Sequence, residues 1–230
     1  MRQRRLSTFF VALLVLGLSY AAQSADTQAL FTIGTATDAR SGELLYRELH
    51  LCTPERLSCT VEYRDVADEL IAHKTLDYSV RLHAPVVVMR DLRAGKEYTL
   101  PVQQQSDVVV DAGFDNYVRQ RWDALQRDEK LSFPLQLTSL ERPVRMRAQA
   151  LAEDCAPEHL CVLVEVDSWL LGLVADPIAL RYARSNQRLL YFSGVSNIKS
   201  VEGDSQVVEI RYDYAAAAVP ASSHHSLPAS

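Results

Sequence analysis

No Gly-x-Ser-x-Gly elbow, His-Glu-x-x-His pair or phosphate-cradling glycine loop occurs in this chain. These absences remove the local signatures of the α/β-hydrolases, the zinc proteases and the common nucleotide-binding folds. Cysteine is scarce, four in 230 residues, and no Cys-x-x-Cys is present, which speaks against a thioredoxin-like redox site. Basic residues are fewer than acidic ones, 24 against 29, so the formal net charge is −5. A nucleic-acid binder needs a concentrated basic face. This balance argues against one, and against steady binding to anionic lipid surfaces.

The chain begins with an export signal. Arg2, Arg4 and Arg5 precede an apolar run from Leu6 to Ala22, and small residues follow at Ser24 and Ala25. A basic end, an apolar stretch and a small-residue cleavage site read as a secretory signal peptide over residues 1–24. The run is short for a membrane anchor. The first cysteine is Cys52, so no lipid-attachment cysteine follows the signal. The expected mature protein is soluble, without a stable membrane anchor, and periplasmic. Loss of three arginines and no acids takes its net charge to −5 − 3 = −8.

In an oxidising compartment an even cysteine count reads as disulfides. Cys52 and Cys59 bracket Thr-Pro-Glu-Arg-Leu-Ser, and Cys155 and Cys161 bracket Ala-Pro-Glu-His-Leu. Four cysteines allow three pairings. The simplest is local, Cys52–Cys59 and Cys155–Cys161, each clasping a hairpin end and each contributing on the order of 2–3 kcal/mol through loop closure. The competing reading is a metal site with His50 or His159, but the spacing is not that of a zinc knuckle. No metal and no cofactor is implied.

From Ala29 onward, short alternating strands are broken by turn signals. Candidates run from Leu30 to Thr37, Glu43 to Cys52, Cys59 to Arg64, Leu70 to Ser79, Pro85 to Asp91 and Glu97 to Val102. Gly42 and Gly95 sit at turns that favour a positive φ. Between Asp111 and Gln126 the period changes: Phe114, Tyr117, Val118, Trp122 and Leu125 recur at helical spacing, with Asp111 as a possible N-cap. Strands resume to Tyr214, and the tail 215–230 is Ala, Pro, Ser and His without periodicity, as in disordered segments. The expected fold is mainly β: one domain over 25–214, an antiparallel barrel or half-barrel of about ten strands around one central α-helix. A two-sheet sandwich is the alternative.

Several phrases resemble an uncharacterised family of exported proteobacterial proteins, a domain of unknown function. They are Gly42-Glu-Leu-Leu-Tyr46-Arg-Glu48, Ala72 to Ser79, Asp111 to Asp123 and Leu189 to Asn197. The resemblance implies an extracytoplasmic compartment and no activity. The layout is similar, more weakly, to periplasmic half-barrels that carry lipids or lipoproteins around an apolar cavity.

The search for chemistry yields acids without a motif. Asp77 and Asp167 each lie beside an aromatic, Tyr78 or Trp169, in apolar surroundings, where Arg81 or Arg181 could pair them. Ser168 to Ala175 is strongly apolar and too short to span a bilayer; it suits a buried strand extension or a flap. Phe114, Tyr117, Trp122, Trp169 and Leu171 are the candidate lining of a hydrophobic site. Three functions follow in order: a non-enzymatic carrier of an apolar ligand such as a lipid, a structural or assembly factor of the cell envelope, and a hydrolase whose site is cryptic.

Overall fold

Period-2 burial dominates the chain. In β1 (Ala29–Asp38), Thr32, Gly34 and Ala36 turn inward; in β3 (Ser58–Asp65), Cys59, Val61 and Tyr63 do so. The structure, a computed structural model, describes residues 27–153, 155–168 and 176–215. The expected signal peptide and disordered tail lie outside the described residues, apart from Ala215.

The remaining elements are β2 (Leu44–Cys52), β4 (Leu70–Asp77), β5 (Val86–Asp91), β6 (Lys96–Leu100), β7 (Val109–Val110), α1 (Gly113–Gln120), α2 (Trp122–Gln126), β8 (Leu131–Gln136), β9 (Val144–Leu151), β10 (His159–Val166), β11 (Ile178–Ala183), β12 (Leu189–Val195) and β13 (Val207–Tyr214). All thirteen strands belong to one sheet, in the order β6-β5-β4-β3-β2-β1-β13-β12-β11-β10-β9-β8-β7. The architecture is a nearly closed, barrel-like sheet rather than a two-sheet sandwich. The described residues form thirteen strands rather than about ten, and even the two-residue Val109–Val110 pairs, with β8.

Consecutive strands pair antiparallel from β1 to β6 and from β8 to β13, as short turns require, and Gly42 and Gly95 have φ of 74° and 62°. Two pairings depart from the meander. First and last strands meet through β1 and β13, from Thr32 opposite Tyr214 to Asp38 opposite Val208. β7 runs parallel to β8, and the helical crossover between them is the connection that a parallel pair needs.

The apolar interior has two clusters. One gathers Val61, Leu76, Val87 and Ile210. The other gathers Leu125, Phe133, Val162 and Tyr182. β7 joins them by strand alternation: Val108 and Val110 face the first cluster and Val109 the second.

The single long helix expected from Asp111 to Gln126 is in fact two short ones. Arg121, at φ −108° and ψ 16°, separates them. Asp111 does not cap α1. Its φ is 43°, its carboxylate is bonded to Lys74, and Ala112 holds the N-cap position without a side-chain cap bond. Gly113 fixes how close α1 comes to the β4–β5 connection, since a Cβ there would lie 2.4 Å from the His83 carbonyl oxygen. Alanine is the better helix former by about 1 kcal/mol. Gly113→Ala is nevertheless expected to destabilise by about 1–3 kcal/mol, because the backbone must shift. A urea midpoint that falls identifies the close approach, and one that rises contradicts it.

Both local disulfides are present. Cys52 and Cys59 face each other directly across β2 and β3. Cys155, ahead of β10, is bonded to Cys161 within it. They fit an oxidising, exported environment. No helix among the described residues is long and apolar enough to cross a membrane.

Candidate functional site

Inward strand positions converge with α1 on a cavity of about 380 Å³. β2 contributes Tyr46, Glu48 and His50; β4 contributes Lys74; β13 contributes Ile210, Tyr212 and Tyr214; α1 contributes Phe114, Asp115 and Arg119. Six of the ten tyrosines of the chain line it: Tyr46, Tyr63, Tyr78, Tyr182, Tyr212 and Tyr214. Tyrosine offers an apolar ring with a polar tip, so this wall packs against hydrocarbon or aromatic surface and still supplies hydrogen bonds.

Charged groups stand among the rings, each with a partner. Lys74 Nζ donates to Asp111 Oδ1 at 2.7 Å, with only 3% and 2% of their side chains exposed. The same oxygen accepts the Ala112 N–H at 2.7 Å. Asp111 Oδ2 is buried with no hydrogen-bond partner among the described residues. Arg119 grips both oxygens of Asp115, one turn back on α1, and also donates to the Gln187 carbonyl at 3.3 Å. Glu48 Oε2 lies 3.0 Å from His50 Nε2 and accepts the Tyr212 hydroxyl at 3.3 Å. Tyr46 and Ser196 share a hydroxyl–hydroxyl bond of 2.7 Å.

These surroundings hold the tyrosines protonated. Burial pushes Tyr46, Tyr63 and Tyr212 well above the ordinary value, and the Glu48 charge adds to it. Burial and Asp115 act likewise on Tyr182 and push Tyr214 up to about 12. Burial opposes the Arg119 charge, and the Asp115 carboxylate more than restores it.

A pH dependence follows. Unfolded tyrosine ionises near pH 10, and the folded values are raised above that. The folded state therefore keeps protons that the unfolded state releases, so this contribution to stability is complete below about pH 10 and is lost as pH rises through about 12. In an alkaline titration, the tyrosinate absorbance of these residues is expected to rise together with loss of the β-sheet circular dichroism. Full tyrosine ionisation near pH 10 with the sheet intact would contradict this.

The sequence-based site residues divide. Phe114 lines the cavity. Tyr117 does not: its ring packs 4.7 Å from Phe133 and 6.3 Å from His83. Trp122 does not either; it is buried in the second apolar cluster, edge-on to Tyr182 at 5.9 Å. Phe114 and Tyr117 share one helix face, both packed on Phe133, and only Phe114, nearer the start of α1, reaches the cavity; Trp122 lies beyond the break at Arg121. Trp169 and Leu171 lie outside the described residues.

The acids fare differently from expectation. Asp77 is exposed and accepts the Ser79 N–H at 2.9 Å. Asp167 accepts the Ser132 hydroxyl at 3.0 Å and faces Arg145 and Arg147 at 3.9 and 3.8 Å. Arg81 instead donates to backbone carbonyls, and Arg181 lies over the Tyr191 ring. Neither acid lines the cavity. Among the described residues no three His, Cys, Asp or Glu side chains are grouped as a metal site.

Sequence reasoning passed over Glu48 and Lys74. Alternation could have found them: Tyr46, Glu48 and His50 share one face of β2, and Ala72, Lys74 and Leu76 one face of β4. A charge on an apolar strand face must be paired. It also passed over a Ser-x-x-Lys spacing at Ser196 to Lys199. Ser196 bonds Tyr46 and the Ile198 N–H, while Lys199 is exposed, so no serine–lysine pair is built.

Fold and cavity together define a class, a barrel-like β protein with a tyrosine-lined cavity that opens to the surface. No family model matches the chain, and no curated protein does. A similar solved structure is a β-barrel-like protein of a domain of unknown function, DUF1849, from Brucella abortus. It shares 12% identity, covers 82% of this chain and 100% of that one, and has a TM-score of 0.37. Its name states neither activity nor ligand, and a likeness at that score carries no argument about this chain.

Proposed function

We propose that this protein is a non-enzymatic, periplasmic binding protein that holds a small amphipathic molecule, such as a lipid, inside its barrel. The observation that carries the reading is the chamber itself. Its volume of about 380 Å³ lies within the range of small-molecule sites, roughly 300–1,000 Å³. Apolar side chains such as Val61, Leu76 and Ile210 alternate there with tyrosine hydroxyls and ion pairs. One buried polar atom there, Asp111 Oδ2, has no hydrogen-bond partner among the described residues, and a ligand with a polar head as well as an apolar body would satisfy it. The two disulfides support the extracytoplasmic setting.

Native mass spectrometry of protein purified without detergent tests the reading. The expected result is a mass excess that disappears on denaturation, or uptake of the neutral fluorophore N-phenylnaphthylamine with a rise in its emission. A clean apo mass together with no uptake overturns it.

A further inference from the structure

Four adjacent strands set one row of residues across the cavity wall. Tyr63 on β3 is directly opposite Glu48 on β2, Glu48 is opposite Gly34 on β1, and Gly34 is opposite Tyr212 on β13. Directly opposed residues have their Cβ atoms about 4.5–5.5 Å apart. Gly34 has no side chain to fill the middle of the row. Glu48 and Tyr212 lean into that space, where a Cβ on residue 34 would lie 2.9 Å from the Tyr212 ring and 3.2 Å from Glu48 Oε2. Tyr46 stands two residues before Glu48 on the same face, with its ring 6.0 Å from that of Tyr63. Glu48 is thus a carboxylate among three tyrosine rings, with 9% of its side chain exposed.

The charges around the chamber do not cancel. With histidine counted as neutral, the described inner wall holds Glu48, Asp111 and Asp115 against Lys74 and Arg119, a sum of −3 + 2 = −1, with the His50 imidazole beside Glu48. Both cations are committed, Lys74 to Asp111 and Arg119 to Asp115. Glu55 and Arg56, on the exposed tip of the β2–β3 hairpin, offset each other. Among the described residues Glu48 has only the His50 imidazole and the Tyr212 hydroxyl as neighbours within hydrogen-bond distance. The chamber also already shows how an ammonium is received there: Lys74 Nζ lies 5.9 Å from the centre of the Tyr63 ring.

We propose that the Glu48 end of the cavity, walled by Tyr46, Tyr63 and Tyr212, receives the ammonium head of a cationic amphiphile whose apolar body lies along the remaining wall. Aromatic faces attract cations, more strongly when water is excluded, and a carboxylate in a low-dielectric pocket strengthens the attraction. An acidic head, such as a fatty-acid carboxylate, enters a chamber of net negative charge whose inner cations are both taken. This inference rests on the binding function proposed above and fixes the charge of the ligand.

Isothermal titration of the whole protein with three probes of equal tail, each below its micellar concentration, tests it: octyltrimethylammonium, octyl glucoside and octanoate. The expected result is that octyltrimethylammonium binds at least about tenfold more tightly than octanoate. Glu48→Gln, which keeps the shape of the side chain, is expected to remove most of that preference, read as the ratio of the octyltrimethylammonium and octanoate affinities in the same variant. Equal affinity for ammonium and acid in the unaltered protein overturns the inference whether or not the variant folds. So does a preference that survives Glu48→Gln. If octyl glucoside binds and the ammonium is not preferred, only the charge assignment fails. If none of the three binds, the binding function fails with it.

Discussion

Lys74→Met is expected to cost about 3–5 kcal/mol of folding stability, because it leaves the Asp111 carboxylate buried without its counter-charge. The pair is almost wholly enclosed, with 3% and 2% of the side chains exposed and 2.7 Å between charged atoms. Asp111 has one alternative donor, the Ala112 N–H, and that bond goes to the oxygen Lys74 already holds. Asp111 Oδ2 has no hydrogen-bond partner among the described residues even in the intact protein. A second replacement, Asp111→Asn, made together with Lys74→Met, removes the stranded charge and is expected to recover a large part of the loss. The two single variants and the double variant form a cycle whose coupling is read from urea midpoints at constant slope. A Lys74→Met protein within about 1 kcal/mol of the original contradicts the buried pair.

Trp122→Ala is expected to cost a similar 3–5 kcal/mol, the usual range for removing a large buried aromatic. The reason differs. Trp122 belongs to the apolar cluster beneath α2, packed on Tyr182 with Leu125 and Phe133. It does not line the cavity. Ligand affinity, measured where both proteins remain folded, is therefore expected to change little while stability falls. A loss of affinity with stability kept would restore Trp122 to the binding wall and contradict the packing described here.

Much of the fold is legible in the sequence because strand alternation and turn chemistry are local. Glu43 to Cys52 and Cys59 to Arg64 can be read as a hairpin from their own residues, and the Cys52–Cys59 bond follows from the same short loop. The union of β1 with β13 is not local: 182 positions separate Thr32 from Tyr214 (214 − 32), and no turn signal announces it. The break at Arg121 is also hidden, since the apolar spacing of Val118, Trp122 and Leu125 continues across it. The expected ligand wall leaned on large aromatics at helical spacing, and helical residues that recur that way mostly pack into a core. Phe114 was the exception. The informative residues were charged ones on strand faces, Glu48 and Lys74, whose significance shows once the register sets Glu48 beside Tyr63 and brings Lys74 to Asp111.

Site-resolved nuclear magnetic resonance tests the central claim, a ligand held inside the barrel, most directly. With the tyrosine rings labelled and assigned, the protein is titrated with octyl glucoside. The account predicts saturable shifts at Tyr46, Tyr63, Tyr182 and Tyr212, which line the chamber, and none at Tyr98 or Tyr191, which do not. Shifts confined to Tyr98 and Tyr191, or no saturable shift at any tyrosine, would contradict it.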